Sequence, residues 1–163
     1  TISQIACFAG SSTTLTRQDC NKLDVAFRSL VRKIVRHPSG WDYSRPFHEL
    51  LHECHLRVSH FCNRHNIKTW SAEVRKRQWQ FMGSVMRGDP QKWCFQLMHW
   101  KPQGHRNVGR PHMKFCDQFD NYWLHMKRIA SISQLPINNH WLDIVYDSRA
   151  WAKQVPAFIE FHS

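Results

Sequence analysis

Apolar residues recur at helical spacing between Cys20 and Ile34, and this pattern constrains the possible fold more than any other feature of the chain. With about 100° of rotation per residue, the apolar positions share one broad face and cations occupy the other. Thr16 and Asp19 have the spacing of a capping box at the start of this helix. Sustained alternation with a period of two occurs nowhere in the sequence. The sequence therefore predicts an all-α protein.

Two more helices are predicted in the first half of the chain. The second runs from about Arg45 to His65, and its inner face is expected to consist of Phe47, Leu51, Cys54, Val58 and Phe61. Asn66 follows as a C-cap. The third helix begins at Ser71, and its inner face is expected to consist of Val74, Gln78, Phe81, Met82 and Val85.

The second half of the chain is also predicted to be helical, without an internal repeat of the first. A short fourth helix is predicted to extend to Trp100, with Asp89 as its N-cap and Pro90 as its first residue. Pro111 opens a fifth helix, whose inner face consists of Phe115, Phe119, Tyr122, Trp123 and Met126. A last helix covers roughly Asn139 to Gln154. The fold is thus expected to contain about five to six amphipathic helices joined by short loops.

The length of 163 residues fits one domain of ordinary size. Residues 1–15 are interpreted as the remnant of an upstream element, and 16–130 as a basic helical region. Residues 131–163 form a C-terminal helix and tail, which we expect to pack on the same domain. Because the chain begins at Thr1, we expect it to be a piece of a longer product.

The charge balance indicates an anionic partner. There are 23 Lys and Arg residues against 12 Asp and Glu, a formal net charge of +11. Such a surface favours phosphate polyanions or an acidic protein. A segment from Lys101 to His112 contains glycines and cations but no acidic residue, which favours contact with nucleic-acid phosphates; the alternative is an ordinary exposed loop between helices. The candidate nucleic-acid contacts are the cations Arg28, Arg32, Lys33, Arg36, Arg75, Lys76, Arg77, Arg87, Lys101, Arg106 and Arg110.

Two tryptophans, Trp79 and Trp100, are expected to be exposed. Trp79 lies off the apolar stripe of its helix and close to Arg75 and Lys76. A nucleic-acid base stacked there would contribute about 1–3 kcal/mol. The alternative, in which Trp79 packs on a neighbouring helix, remains open at this point.

The sequence gives little support to metal binding or catalysis. Cys54, Cys62 and His65 have a spacing that zinc could use, but the same positions fit a helix decorated with histidines, and no cofactor is expected. No catalytic motif occurs, although a Cys–His pair formed in space stays open. The six cysteines are expected to be reduced, in a reducing compartment inside the cell. No apolar run approaches the roughly 20 residues of a membrane span.

Four blocks resemble a known family. The segment TRQDCNKLDVAFRSLVRKIV is similar to the helix that follows the palm in reverse transcriptases of non-LTR (LINE-type) retrotransposons. The run RKRQWQFMGSVMRG resembles their R-x-x-x-W-x-G-H-x-x-R helix. KPQGHRNVGRPHMKFCDQFDNYW resembles their G-x-R-x-x-G-R-P-x-x-x-W segment, and DSRAW their terminal D-R-x-x-W block. Ser84 and Phe115 stand where the family usually has His and Trp, and His112 and Met113 replace commoner basic residues.

This resemblance implies a thumb and post-polymerase region that grips RNA, DNA or both. The positions that match recurrent motif residues are Arg28, Arg32, Arg77, Arg87, Arg106, Gly109, Arg110 and Pro111. The parent family is an RNA-directed DNA polymerase, but its aromatic–Asp–Asp signature is not in this sequence, so we expect no enzymatic activity from this segment. The implied partners are nucleic acid and upstream domains of the same polyprotein, in the nucleus or cytoplasm, with no membrane. The alternative hypothesis is a domesticated structural subunit of a larger protein or ribonucleoprotein assembly. The sequence indicates no oligomeric state.

Overall fold

The computed structural model describes residues 10, 13–35, 44–100, 115–133 and 140–162. Within these residues the protein is all-helical, with eight helices and no strand, which confirms the predicted fold class. The helices are α1 (Arg17–Ile34), α2 (Phe47–Arg64), α3 (Trp70–Met86), α4 (Trp93–His99), α5 (Asp117–Ser133), α6 (Leu142–Val145), α7 (Ser148–Lys153) and α8 (Val155–Phe161).

The chain divides into two compact units. The α1–α2 unit is Thr16–Glu73, and the aromatic unit is Thr1–Leu15 together with Val74–Ser163. The division between Glu73 and Val74 lies inside the range 16–130, which the sequence analysis treated as one region.

Helix α1 begins as its sequence predicts. The side chain of Thr16 accepts a hydrogen bond from the Asp19 backbone N–H, and the Asp19 carboxylate accepts one from the Thr16 backbone N–H. This capping box lowers the pKa of Asp19, mainly through its hydrogen bonds with Thr16. The inner face buries Cys20, Phe27 and Val31, whereas Ile34 is exposed at the end of the helix.

The α1–α2 unit is held together by a few specific contacts. The Asp24 carboxylate accepts hydrogen bonds from the backbone N–H and the hydroxyl of Ser71, at 3.0 and 2.6 Å. The rings of Phe27 and Trp70 lie 5.9 Å apart. Helix α2 buries Leu50 and Val58, but its predicted core residue Phe47 is 70% exposed. Phe47, the first residue of the helix, is therefore wrong as a core residue.

The aromatic unit has one core to which α3, α5 and the three C-terminal helices contribute. Its buried residues are Trp79, Met82, Met86, Phe119, Tyr122, Trp123, Trp141, Ile144, Val145, Trp151 and Phe158. The predicted inner faces of the third and fifth helices are buried or half-buried throughout. C-terminal residues such as Trp141 therefore pack with α3 and α5.

Two predicted helix boundaries are wrong. Asp89 does not cap α4, which begins at Trp93 with Lys92 as its N-cap; the Asp89 carboxylate instead accepts from the Gln91 backbone N–H at 2.9 Å. The single last helix is divided, because Asp147 accepts hydrogen bonds from the backbone N–H groups of Arg149 and Ala150 and so starts α7.

Candidate nucleic-acid interface

Three cations project from the outer face of α1. Arg28, Arg32 and Lys33 are all exposed, because the helical period places them away from Cys20 and Phe27. Arg28 is steadied by a hydrogen bond from its Nε to the Asp24 carbonyl oxygen, at 3.2 Å. These three side chains are therefore presented to solvent on one helix.

Arg32 also contacts α2. Its Nη2 lies 2.9 Å from the Nε2 of His55, and because a guanidinium can only donate, the imidazole nitrogen accepts. The contact leaves the positive charge of Arg32 unneutralised, since an imidazole carries no negative charge.

The cations of α1 differ from those beside α2 in their partners. Arg45 and Arg57 lie 3.1 and 2.6 Å from the carboxylate oxygens of Glu53. These bonds, with Arg57 the larger contributor, lower the pKa of Glu53. In the part of the chain that the structure describes, no carboxylate forms an ion pair with Arg28, Arg32 or Lys33. Arg28, Arg32 and Lys33 thus differ from Arg45 and Arg57 in having no carboxylate partner within these ranges.

Arg75 is wrong as a phosphate contact. It is only 4% exposed. Its guanidinium donates to the side-chain oxygens of Gln78 and Gln118 and to the carbonyl oxygen of Leu15, each at 3.1 Å. The guanidinium is therefore buried and hydrogen-bonded inside the protein. Its neighbour Lys76 is exposed, and Arg77 is half-buried.

Trp79 is also wrong as a base-stacking residue. Its side chain is fully buried and its ring stacks on that of Trp151, with centroids 3.9 Å apart. The alternative that the sequence left open, packing on a neighbouring helix, is the correct one. Trp100, by contrast, is 57% exposed, as predicted.

Arg87 combines solvent exposure with a hydrogen bond inside the protein. The residue is exposed, but its Nη1 donates to the carbonyl oxygen of Val145, at 2.7 Å. Val145 ends α6, so the guanidinium satisfies a carbonyl at a helix C-terminus.

The other predicted contacts lie outside the described residues: Arg36, Lys101, Arg106, Gly109, Arg110 and Pro111. Their assignment stays a prediction from the sequence.

No metal cluster is found among the residues that the structure describes. Cys54 and Cys62 are half-buried on α2 and His65 is exposed at its C-terminal end, and no three potential ligands converge there. Burial raises the pKa of the Cys62 thiol. No disulfide is formed by the cysteines of the described ranges, which are Cys20, Cys54, Cys62, Cys94 and Cys116.

Sequence reasoning missed an exposed apolar stripe on α4. Trp93 is 74%, Leu97 55% and Trp100 57% exposed. Their spacing of four and three residues places all three on one side of the helix, while Phe95 and Met98 pack against the core. The spacing of the three residues was the signal in the sequence, but only Trp100 was expected to be exposed.

Comparisons with known proteins found no match: no protein-family model, no curated protein and no solved structure matches the chain. Over the described residues, no helix combines the length and the apolar character that crossing a bilayer needs.

Proposed function

We propose that this chain binds nucleic acid through phosphate contacts made by the outer face of α1. The observation that carries the proposal is the set of three exposed cations, Arg28, Arg32 and Lys33, with no carboxylate partner in the described ranges. Arg can hold a phosphate with two N–H groups, and Lys acts as a point charge. A backbone lying along the helix would meet them successively.

The resemblance to non-LTR retrotransposon reverse transcriptases supports the same proposal. Arg28 and Arg32 are among the positions at which the first block matches, and they are exposed in the structure. We propose that the chain is a nucleic-acid-gripping helical region of such an enzyme and that it catalyses no reaction by itself. Phosphate contacts position a protein without reading sequence, so no base specificity is expected from them.

A salt series tests this proposal. Binding to RNA and DNA would be measured by fluorescence anisotropy for wild type and for Arg28→Ala/Arg32→Ala/Lys33→Ala. Removing one cation that neutralises a phosphate makes the log–log salt slope shallower by about 0.7–0.9. The slope of the triple variant should therefore be shallower by about 2 units if all three cations bind phosphates.

The control is a variant with the same loss of charge elsewhere. Lys92, Arg149 and Lys153 are exposed cations of the aromatic unit, and Lys92→Ala/Arg149→Ala/Lys153→Ala also removes three positive charges. If both variants lower the affinity and the slope equally, α1 is not the interface and only net charge matters. Binding no tighter than that of an unrelated protein of equal charge would exclude nucleic-acid binding altogether.

The stripe of Trp93, Leu97 and Trp100 favours a second candidate, a structural subunit that uses this face against protein. Exposed apolar residues grouped on one helix face mark such contacts. A second copy of the chain is the partner that can be tested directly. Sedimentation velocity should then show concentration-dependent association that Trp93→Ser/Trp100→Ser abolishes, and a monomer at all concentrations would exclude this kind of assembly.

A further inference from the structure

A groove of about 490 Å³ lies on the α1–α2 unit. Val35, directly after α1, supplies one wall, and the second half of α2 supplies the rest. The lining residues used in the argument are Val35, Leu56, His60, Phe61, Arg64 and His65. The volume falls within the range of about 300–1,000 Å³ that small-molecule sites occupy.

The groove offers an aromatic and apolar surface that solvent can reach. The rings of Phe61 and His65 lie 4.6 Å apart and are inclined by 47°. Leu56 is 57% exposed, and His65 is exposed as well. A flat aromatic ring is the kind of group that packs well on such a surface.

The charge at the mouth of the groove is positive. Arg64 is exposed, and no carboxylate in the described part of the chain pairs with it. Arg57, which also lines the groove, is held by Glu53 and contributes little net charge. An occupant should therefore combine a flat apolar body with an anionic group.

The groove adjoins the cations of α1. Val35, which lines the groove, directly follows α1 and is three residues from Arg32 in the sequence. On α2, His55 contacts Arg32 at 2.9 Å and directly precedes Leu56 of the groove. The Arg32–His55 contact therefore connects the cations of α1 with the helix that forms most of the groove.

We propose that this groove receives an unpaired base of a single-stranded nucleic acid whose phosphates lie along α1. The inference rests on the proposed function, which it makes more specific. In a duplex every base is paired and stacked, so insertion would require breaking those contacts. The site therefore selects single strands over duplexes.

The test compares single-stranded RNA or DNA of about 12 nucleotides with the matching duplex, by anisotropy at pH 8, where imidazole is neutral. A single strand in which abasic sites replace the central bases keeps the phosphates but removes the rings. The groove variant is Leu56→Ser/His65→Ala, which changes two exposed side chains and no charge. The control is Val25→Ser/His48→Ala, which also replaces one aliphatic residue by Ser and one His by Ala, at exposed positions outside the groove.

Wild type and the control should bind the single strand about tenfold more tightly than the duplex or the abasic strand, at the lower end of a stacking contact. The groove variant should lose this preference while its salt slope stays unchanged. The inference is overturned if wild type binds single strand and duplex equally, or if the groove variant behaves as the control does. Either result would not affect the proposed phosphate contacts of α1. Absence of salt-dependent binding to any of these probes overturns the proposed function and the inference with it.

Discussion

Trp79 and Trp151 each donate the indole N–H to the backbone carbonyl oxygen of the other, at 2.8 and 3.1 Å. Their rings are stacked 3.9 Å apart and inclined by 16°. This reciprocal pair joins α3 to α7 in the middle of the aromatic core. Both indoles are buried and both polar N–H groups are satisfied, so the pair combines large apolar burial with a fixed geometry.

The first prediction concerns this pair. Trp151→Phe removes one indole donor and part of a stacked ring, and the absence of a buried hydrogen bond together with poorer packing should cost about 2–4 kcal/mol of unfolding free energy. Urea denaturation followed by circular dichroism measures the change. Trp93→Phe is the control, because Trp93 is 74% exposed and its change should stay within about 0.5 kcal/mol. Similar destabilisation of both variants would contradict the importance of the reciprocal pair.

Gly83 gives a second prediction. In an exposed helix interior, Gly→Ala stabilises by about 1 kcal/mol. A Cβ at position 83, however, would overlap the indole nitrogen of Trp151 and lie 2.7 Å from its Cδ1. Gly83→Ala should therefore destabilise the protein by about 1–3 kcal/mol in urea denaturation. The exposed neighbour serves as the control: Ser84→Ala should be neutral or slightly stabilising, and stabilisation at both positions would show that the core yields to the extra methyl group.

Arg75 gives a third prediction. Arg75→Met leaves the buried acceptors on Gln78, Gln118 and Leu15 without this donor, and should cost about 2–4 kcal/mol of unfolding free energy. Because Arg75 is buried, the salt slope of nucleic-acid binding should not change under conditions in which the variant is folded. Lys76→Met, at the exposed next position, should have nearly the stability of wild type. A shallower salt slope for Arg75→Met alone would restore it as a phosphate contact.

The fourth prediction is a pH dependence. Burial, assisted by the positive charge of Arg75, lowers the pKa of His162 from 6.5 to about 4. The unfolded chain therefore binds more protons between these pH values, and the stabilisation from neutral His162, complete above about pH 6.5, is lost as the pH falls towards 4. Urea midpoints at pH 7.5 and 5 should fall further for wild type than for His162→Gln. His48→Gln, at an exposed position of α2, should behave as wild type; an unchanged pH dependence in His162→Gln would contradict the assignment.

The fifth prediction comes from the sequence alone. Arg106 and Arg110 lie in a segment with no acidic residue between Asp89 and Asp117. If they bind phosphates, Arg106→Ala/Arg110→Ala should make the log–log salt slope shallower by about 1–2 units. The control Lys92→Ala/Lys153→Ala removes the same charge at exposed positions and should leave the salt slope unchanged. An equal effect of the two double variants would remove the segment from the interface.

Local patterns were enough to predict the all-α class, the capping box of α1 and the exposure of Arg28, Arg32 and Lys33. Each of these features depends on residues that are close together in the sequence. A capping box needs Thr16 and Asp19 three positions apart, and in an amphipathic helix the spacing of the apolar residues shows which residues face solvent. The same reasoning located the inner faces of α3 and α5, since their apolar residues are grouped.

Only the tertiary structure decided that the side chains of Arg75 and Trp79 are buried. Helix α3 is buried on more than one side, so its period does not show which polar residues face solvent. Arg75 can be buried because Gln78, Gln118 and Leu15 supply acceptors, two of them from residues 43 and 60 positions away. Trp79 is buried because Trp151, 72 residues further on, accepts its N–H and covers its ring. The periodicity of the sequence shows which face of a helix is apolar. Burial of a polar or amphipathic side chain depends instead on partners that only the folded chain brings together.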